Sequence, residues 1–498
     1  MKPKIIFWLD RGLVEFGVAK TISEKINCDL YGIFEVTNNP KQFFQNQKIV
    51  SFEKKWFYFD HILKSKKKPD LKYLKSIEEK YKINLWLLAF NDRIFYNYNE
   101  YYKFTTDEIL CIIEQECRLF ESILDKISLD YFITHDTYSQ PHRLFYEMCR
   151  AKGVKVLLMS PVRFGERWCI LDETDKFESL ENIHEENLDA TLKPLEFLSK
   201  SKTEWVKDIA LKTENSKKDY AKAALNFLFS DNSNLQTHYT YYGRTKISVF
   251  FKMLFYEIRK KCRNNFMNKN LDKEFNEDVP FIYFPLHQEQ ESMLLIGAPF
   301  YLNQIDIIKN VAKSLPVGYK LVVKDHSVMN SRGWRSISEC KEIMNLPNVI
   351  LVNPYSDGEK LLKKCSLVIS IKGGASIEAA FHMKPSILFR KTGLYKLPSM
   401  YKLKAIEELP NAIRKSLEIK VESKDLIKYA NLLEKNSFIF HLTKLNLAVL
   451  ERFNFGGYSA DGIFPDATNE MQGFLSDFKS EFDFLAEVYL KKIKADSL

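Results

Sequence analysis

The segment Ser370-Ile371-Lys372-Gly373-Gly374-Ala375-Ser376-Ile377-Glu378-Ala379 sets two glycines and a lysine between an apolar run and a helix-like stretch. Glycines let a phosphate approach the backbone, and a helix N-terminus beside Lys372 favours its charge. The spacing is not G-x-x-x-x-G-K-[ST], so this is not a P-loop. A Gly-Gly turn also serves simply to join strand to helix. Two more polar turns follow apolar runs: Lys324-Asp325-His326-Ser327, and Pro285-Leu286-His287-Gln288-Glu289-Gln290-Glu291. His326 can donate to a phosphate or sugar oxygen, and as imidazolium would offset leaving-group charge, although a lone loop histidine often has a structural role. Nearer the amino terminus, Asp10, Arg11, Glu35, His135 and Asp136 also close apolar runs. A carboxylate or imidazole there suits proton removal from a hydroxyl or nucleophilic attack. Asp136 before Thr137 equally reads as a turn or helix cap.

These residues act together only if the fold gathers them, and the sequence supplies a regular frame. Residues 4–9 are apolar, 14–26 helix-like and 30–36 apolar again, a strand–helix–strand unit. The cadence returns with 84–90 (NLWLLAF) as a buried strand and 106–126 as an amphipathic helix capped by Thr105 or Thr106. A strand over 131–134 then ends at His135-Asp136, a helix spans 143–152 up to Gly153, and a strand covers 154–159. A second α/β unit opens at Val279, with strands over VPFIYFPL, 320–324, 349–352, 366–371 and 385–389 and helices over 300–315, 357–364 and 376–382. Ligands of open parallel sheets sit beyond the carboxyl ends of strands, where every polar turn above falls.

The stretch between these units, 188–278, is Lys- and Asn-rich and helix-like. Within it, 246–269 joins Phe250, Phe251, Met253, Leu254 and Phe255 to Arg259, Lys260, Lys261, Arg263 and Lys269. That composition reads as an interdomain helix with a solvated basic end, or as a helix lying on a membrane surface. Phe474, Phe478, Phe482 and Leu485 repeat at helical spacing near the end, predicting a terminal helix packed back on the body. The expected organisation is α/β: a Rossmann-like unit over 1–187, a helical connection over 188–278, a second Rossmann-like unit over 279–450 and a helical tail over 451–498.

Composition narrows the function classes. A chain of 498 residues exceeds one ordinary core, in agreement with two or more domains. The longest uncharged stretch, Ser292 to Ile305, is broken by Gly297 and Pro299, well short of the ~20 apolar residues that span a bilayer. The first apolar run meets Asp10 and Arg11 too soon for a signal peptide, so the expected location is the cytoplasm. Eight cysteines form no C-x-x-C and no metal-ligand spacing, which predicts reduced thiols. There is no acidic D-x-D cluster to hold a magnesium ion, and the expected metal and cofactor content is none. Basic residues exceed acidic ones by 74 − 65 = 9, spread along the chain. That is mild for a nucleic-acid partner and suits anionic small substrates or an anionic membrane surface.

The pieces from Phe281 to Pro398, in this order, resemble the bacterial capsule and surface-polysaccharide glycosyltransferases of the two-Rossmann GT-B type, including the CMP-Kdo-dependent transferases. The resemblance rests on the FPLH-Q-E turn, Phe300 and Gln304, the Lys324-Asp325-His326 loop, the Leu346-Pro347-Asn348-Val349 strand entry, and the Gly374, Glu378-Ala379, Lys384-Pro385 block. Pro141-His142, Lys152-Gly153-Val154 and Arg163-Phe164-Gly165-Glu166-Arg167 resemble the amino-terminal half of the same family more weakly. Two departures stand out: Ser327 replaces the usual proline after the histidine, and the usual hydroxyl turn is Lys372-Gly373-Gly374-Ala375, its hydroxyl displaced to Ser376.

The resemblance implies a GT-B-like fold with its two units facing a cleft. It also implies a nucleotide-sugar co-substrate in the carboxyl-terminal unit, CMP-Kdo-like or next a UDP-sugar. The donor set is then His326 on the nucleotide phosphate with Lys324, Ser370, Lys372, Gly373, Gly374 and Ser376 around it, Glu378 near the ribose, and His287 and Glu291 in the first turn. Transfer to a sugar hydroxyl makes Asp136 with His135 the preferred catalytic pair, followed by Asp10. The implied acceptor is a surface oligosaccharide or lipid-linked glycan at the inner face of the cytoplasmic membrane, with 246–269 as a peripheral contact. A polyol-phosphate transferase of teichoic-acid type and a non-catalytic glycan-binding assembly protein are the alternatives.

Overall fold

The computed structural model describes residues 2–65, 67–96, 98–162, 166–173, 238–272, 279–289, 291–326, 335–390, 397–453 and 463–495. Most of the stretch 188–278, along with Ser327 and residues 163–165, lies outside them. The amino-terminal sheet is built from β1 (Lys4–Leu9), β2 (Asp29–Phe34), β3 (Lys54–Phe57), β4 (Tyr131–His135), β5 (Lys155–Pro161) and β6 (Arg167–Leu171). The second contains β7 (Phe281–Pro285), β8 (Lys320–Lys324), β9 (Val349–Val352), β10 (Leu367–Ser370), β11 (Ser386–Leu388) and β12 (Met400–Lys402). A last short strand, β13 (Phe438–Ile439), joins the first sheet.

The strand orders are β13-β6-β5-β4-β1-β2-β3 and β12-β11-β10-β7-β8-β9. Counted from its own first strand, each sheet runs 3-2-1-4-5-6, the order of a doubly wound nucleotide-binding sheet, and the winding reverses between first and fourth strands. Pairing is parallel except at β5–β6 and β6–β13. Both units are therefore Rossmann-like.

Period-2 alternation explains how each sheet is buried on both faces. Ile6 and Trp8 of β1 enter one apolar core while Ile5, Phe7 and Leu9 enter another. In β7, Ile282 and Phe284 face one core, and Phe281 and Tyr283 the opposite one. The first of these cores also takes in Ile377 and Phe381 from the second unit.

Three elements differ from the sequence expectation. The run 84–90 is a helix, Leu85–Phe90, and not a strand. Its period was ambiguous, and the Asn84 side chain decides by accepting from the Leu87 amide at 2.7 Å, with the Glu78 carboxylate accepting from the Leu85 amide at 2.9 Å. The expected helix over 300–315 is a short turn, Pro299–Tyr301, followed by a helix at Gln304–Ser314. Its start is set by the Asn303 side chain accepting from the Asp306 amide. The described residues from 438 onward pack with the first sheet, whereas the sequence pattern assigns 438–450 to the second unit. The Thr105 capping box starts the helix Thr106–Lys126 as expected.

Candidate functional site

At the winding reversal of the second sheet, β7 and β10 lie side by side, and their following residues meet. The Ser370 hydroxyl is 3.1 Å from His287 Nε2, the Gly373 amide donates to Ser370 Oγ at 3.1 Å, and the Lys372 amide donates to His287 Nε2 at 3.4 Å. A ring nitrogen that accepts carries no proton, so Ser370 donates to Nε2 and the ring proton sits on Nδ1. Gly373 is required here: a Cβ would lie 2.6 Å from His287 Cε1 and 2.7 Å from Ser370 Oγ. Gly374 differs, with helical φ −59° and ψ −25° and no need for a positive φ.

The helix that follows, Ala375–Phe381, is one of seven residues, and the Lys372 and Gly373 amides are already engaged. These two amides are therefore not the free donors that the sequence suggested. Ser376 Oγ is buried within the turn and has no hydrogen-bond partner among the described residues. Glu378 is half-buried and acts electrostatically on the Tyr283 hydroxyl.

The neighbouring turn is tied by groups that the sequence did not single out for a role. Buried Arg335 donates to Asp325 Oδ2 at 3.0 Å and to Glu289 Oε1 at 3.1 Å, joining the ends of β8 and β7. Gln304 donates to the same Glu289 oxygen and to the His287 carbonyl, both at 3.0 Å. His326 is exposed, its Nδ1 3.1 Å from the Gln288 amide nitrogen, and Glu291 is exposed and acts electrostatically on that ring. Lys324 is half-buried, and burial lowers its pKa. Gln288 Oε1 and Arg335 Nη1 are buried without a hydrogen-bond partner among the described residues.

The reversal of the first sheet lies between β1 and β4, and it gathers the acidic residues. His135 Nδ1 is 2.6 Å from Glu15 Oε1, and its Nε2 is 4.0 Å from Asp10 Oδ2. Burial disfavours the charged ring, but the Glu15 carboxylate and then Asp10 outweigh it and lift the pKa to about 9. His135 is thus an imidazolium at neutral pH and a poor base. Burial, reinforced by Glu15, raises the Asp10 carboxyl against the pull of His135, and Asp10 Oδ1 accepts from the Gly12 amide at 2.7 Å. Burial also pushes Glu35 up to about 7, although Tyr138 and Trp8 donate to it at 2.6 and 2.9 Å. The Tyr138 ring stacks on His135 at 5.2 Å.

Asp136, the preferred partner of His135 from sequence, turns instead toward β5. Its carboxylate accepts from Ser160 Oγ at 2.7 Å and its amide donates to the Met159 carbonyl. Arg11 donates to the Thr37 hydroxyl at 3.2 Å. Glu15 escaped sequence reading because a glutamate in a first helical turn looks like an ordinary dipole partner. Only the β1–β4 pairing carries it to His135.

A cavity of about 870 Å³ opens between the two units. Trp86, Phe90, Tyr96 and Tyr98 line it from the first unit, and Glu289, Phe300, Asp306 and Glu339 from the second. Glu289 connects it to the Arg335 network, while Asp10 and His135 are not among its lining residues.

No family model and no curated protein matches the chain. Among solved structures it is similar to KpsC of Thermosulfurimonas dismutans, a β-Kdo 2,7 transferase, at 11% identity and TM-score 0.29, covering 63% of this chain and 80% of that one. It is also similar to the UDP-GlcNAc 2-epimerase of Neisseria meningitidis bound to UDP-GlcNAc, at 13% identity and TM-score 0.27, covering 91% and 100%. The Methanocaldococcus jannaschii UDP-GlcNAc 2-epimerase in complex with UDP-GlcNAc and UDP gives 12%, 0.25, 87% and 100% respectively. At such scores the strand orders, not these likenesses, carry the fold.

Proposed function

We propose that this chain is a glycosyltransferase of the GT-B kind, moving a sugar from a nucleotide-activated donor to a surface-glycan acceptor. The observation that supports the reading is the gathering of chemistry at both winding reversals: His287, Ser370, Lys372 and Gly373 in one sheet, Asp10, Glu15 and His135 in the other. The donor phosphate would meet Lys372 and His326, with the buried Ser376 hydroxyl and Gln288 carbonyl satisfied by donor atoms; an unpartnered buried polar atom otherwise costs about 1–3 kcal/mol. Gly373 keeps His287 close to the turn.

On the acceptor side, a base must take the proton of the attacking hydroxyl. Asp10 fits better than Asp136, because its raised pKa strengthens it as a base and the adjacent His135 imidazolium stabilises its ionised form. The aromatic walls and carboxylates of the cavity suit the apolar faces and hydroxyls of a sugar chain. CMP-Kdo as the donor rests on sequence resemblance, with a UDP-sugar next.

Calorimetric titration of CMP, CDP and UDP against the wild type and His287→Ala tests the donor half. The expected result is micromolar to millimolar binding of CMP or UDP that weakens about 10- to 100-fold in the variant. Absence of binding by all three nucleotides would remove the transferase reading, and binding of CDP alone would move it to polyol-phosphate transfer.

A further inference from the structure

The helix Lys246–Asn270 is 25 residues long, and only Arg263 and Met267 are buried along it. Ile247, Phe250, Phe251, Leu254, Phe255 and Ile258 are each between 43% and 69% exposed. Their spacing, i, i+3, i+4, i+7, i+8 and i+11, puts all six on one stripe. The opposite face holds the helix to the body. Lys252 lies 4.5 Å from the centre of the Tyr101 ring, Arg259 is 3.8 Å from Glu100, and Met267 enters the core of the second unit. Positions 252, 259, 263 and 267 follow one another at seven, four and four residues, so the anchor line runs opposite the stripe, which points away from the protein.

Among the described residues no helix is long and apolar enough to cross a membrane. This helix carries seven basic residues against Glu257 alone, and Lys246, Lys261 and Lys269 flank or continue the apolar stripe. We propose that the helix docks the protein on an anionic lipid surface, lying in its plane with the stripe at the acyl boundary and the lysines among the headgroups. The charge pattern selects lipid over a second copy, because two stripes face to face would bring two sets of lysines together. The docking stands independently of the sugar-transfer reading.

The test is co-sedimentation of the full chain with vesicles of mixed phosphatidylcholine and phosphatidylglycerol, and with phosphatidylcholine alone, at low and high salt. Binding is expected only to the mixed vesicles and is expected to weaken with salt. Replacing Lys261 or Lys269 with Gln should weaken it about five-fold each. The double variant Phe251→Asp, Phe255→Asp should lose at least ~10-fold. Circular dichroism checks its fold, and the single lysine variants carry the test should it unfold. No binding to anionic vesicles at low salt, equal binding to neutral ones, or a dimer in light scattering that Phe251→Asp converts to monomer would each overturn the proposal.

Discussion

The Glu15 carboxylate, then Asp10 and Asp136, hold a proton on His135, and that bears on what the first-sheet cluster can do. In the proposed transfer an imidazolium could not accept the acceptor's proton, which would leave that task to Asp10. Asp10→Asn keeps the shape and removes the basic oxygen, and should lower turnover about 10²- to 10⁴-fold with little change in nucleotide affinity. Asp136→Asn, which weakens the bond to Ser160 and removes the smallest of the carboxylate pulls on His135, should leave turnover within about 10-fold of wild type. Steady-state kinetics of both variants decides between them, and a larger loss in Asp136→Asn would return the role to the residue preferred from sequence. The charge also has a signature in stability. With a folded pKa of about 9 against the ordinary 6.5, the stabilisation is fully present below pH 6.5 and is lost as pH rises through 9. Melting temperature should therefore fall across that window, and the fall should be shallower in His135→Gln. An equally steep fall in the variant would place the titrating group elsewhere. Asp10 and His135 were legible in sequence as strand-end residues, but their partnership was not, since Glu15 reaches His135 only through a strand pairing formed across more than a hundred residues of chain.

Strand ends carry the candidate site, so the turn geometry of β10 bears on it more than the helix after it. Gly373→Ala would drive a methyl into His287 and Ser370, and should weaken nucleotide binding about 10- to 100-fold while costing about 1–3 kcal/mol in stability. Gly374→Ala keeps its helical backbone angles, and on conformational grounds should shift stability by less than about 1 kcal/mol. Nucleotide titration and chemical denaturation of the pair separate the two glycines; equal effects would mean that the turn rearranges. Sequence reading marked both as one phosphate turn, because a Gly-Gly pair does not say which glycine is sterically required. It placed β1, β2, β4, β5 and β7 to β11 well, since continuous apolar runs between polar turns are characteristic of buried parallel strands. It passed over β3, β6, β12 and β13, of two to five residues each, which have too few residues for a period and are fixed by pairing with neighbours already in place.

The molecule closes on itself through its tail. After the second sheet is complete, β13 pairs with β6, and the helices Thr468–Asp477 and Lys479–Ala495 cover the face of the first sheet that also receives the helix Val14–Lys25. The approach is tight enough that a Cβ on Gly17 would lie 2.2 Å from Phe482, and Lys25 pairs with Asp483 and Glu487 at 3.1 and 3.2 Å. Those surface pairs contribute little, whereas Phe474, Phe482 and Leu485 are fully or almost fully buried and carry the association. The tail is thus part of the first unit's core, although the second unit separates the two in sequence. Phe482→Ala removes a ring that is 2% exposed and should cost about 3–5 kcal/mol. Since Phe482 touches the first sheet's covering helices and not the His287 turn, calorimetry should show the thermal transition of the amino-terminal unit moving down while the variant still binds nucleotide at low temperature. A loss under about 1 kcal/mol would mean that the tail only rests on the surface, because a cavity of that size in a packed core cannot be so cheap.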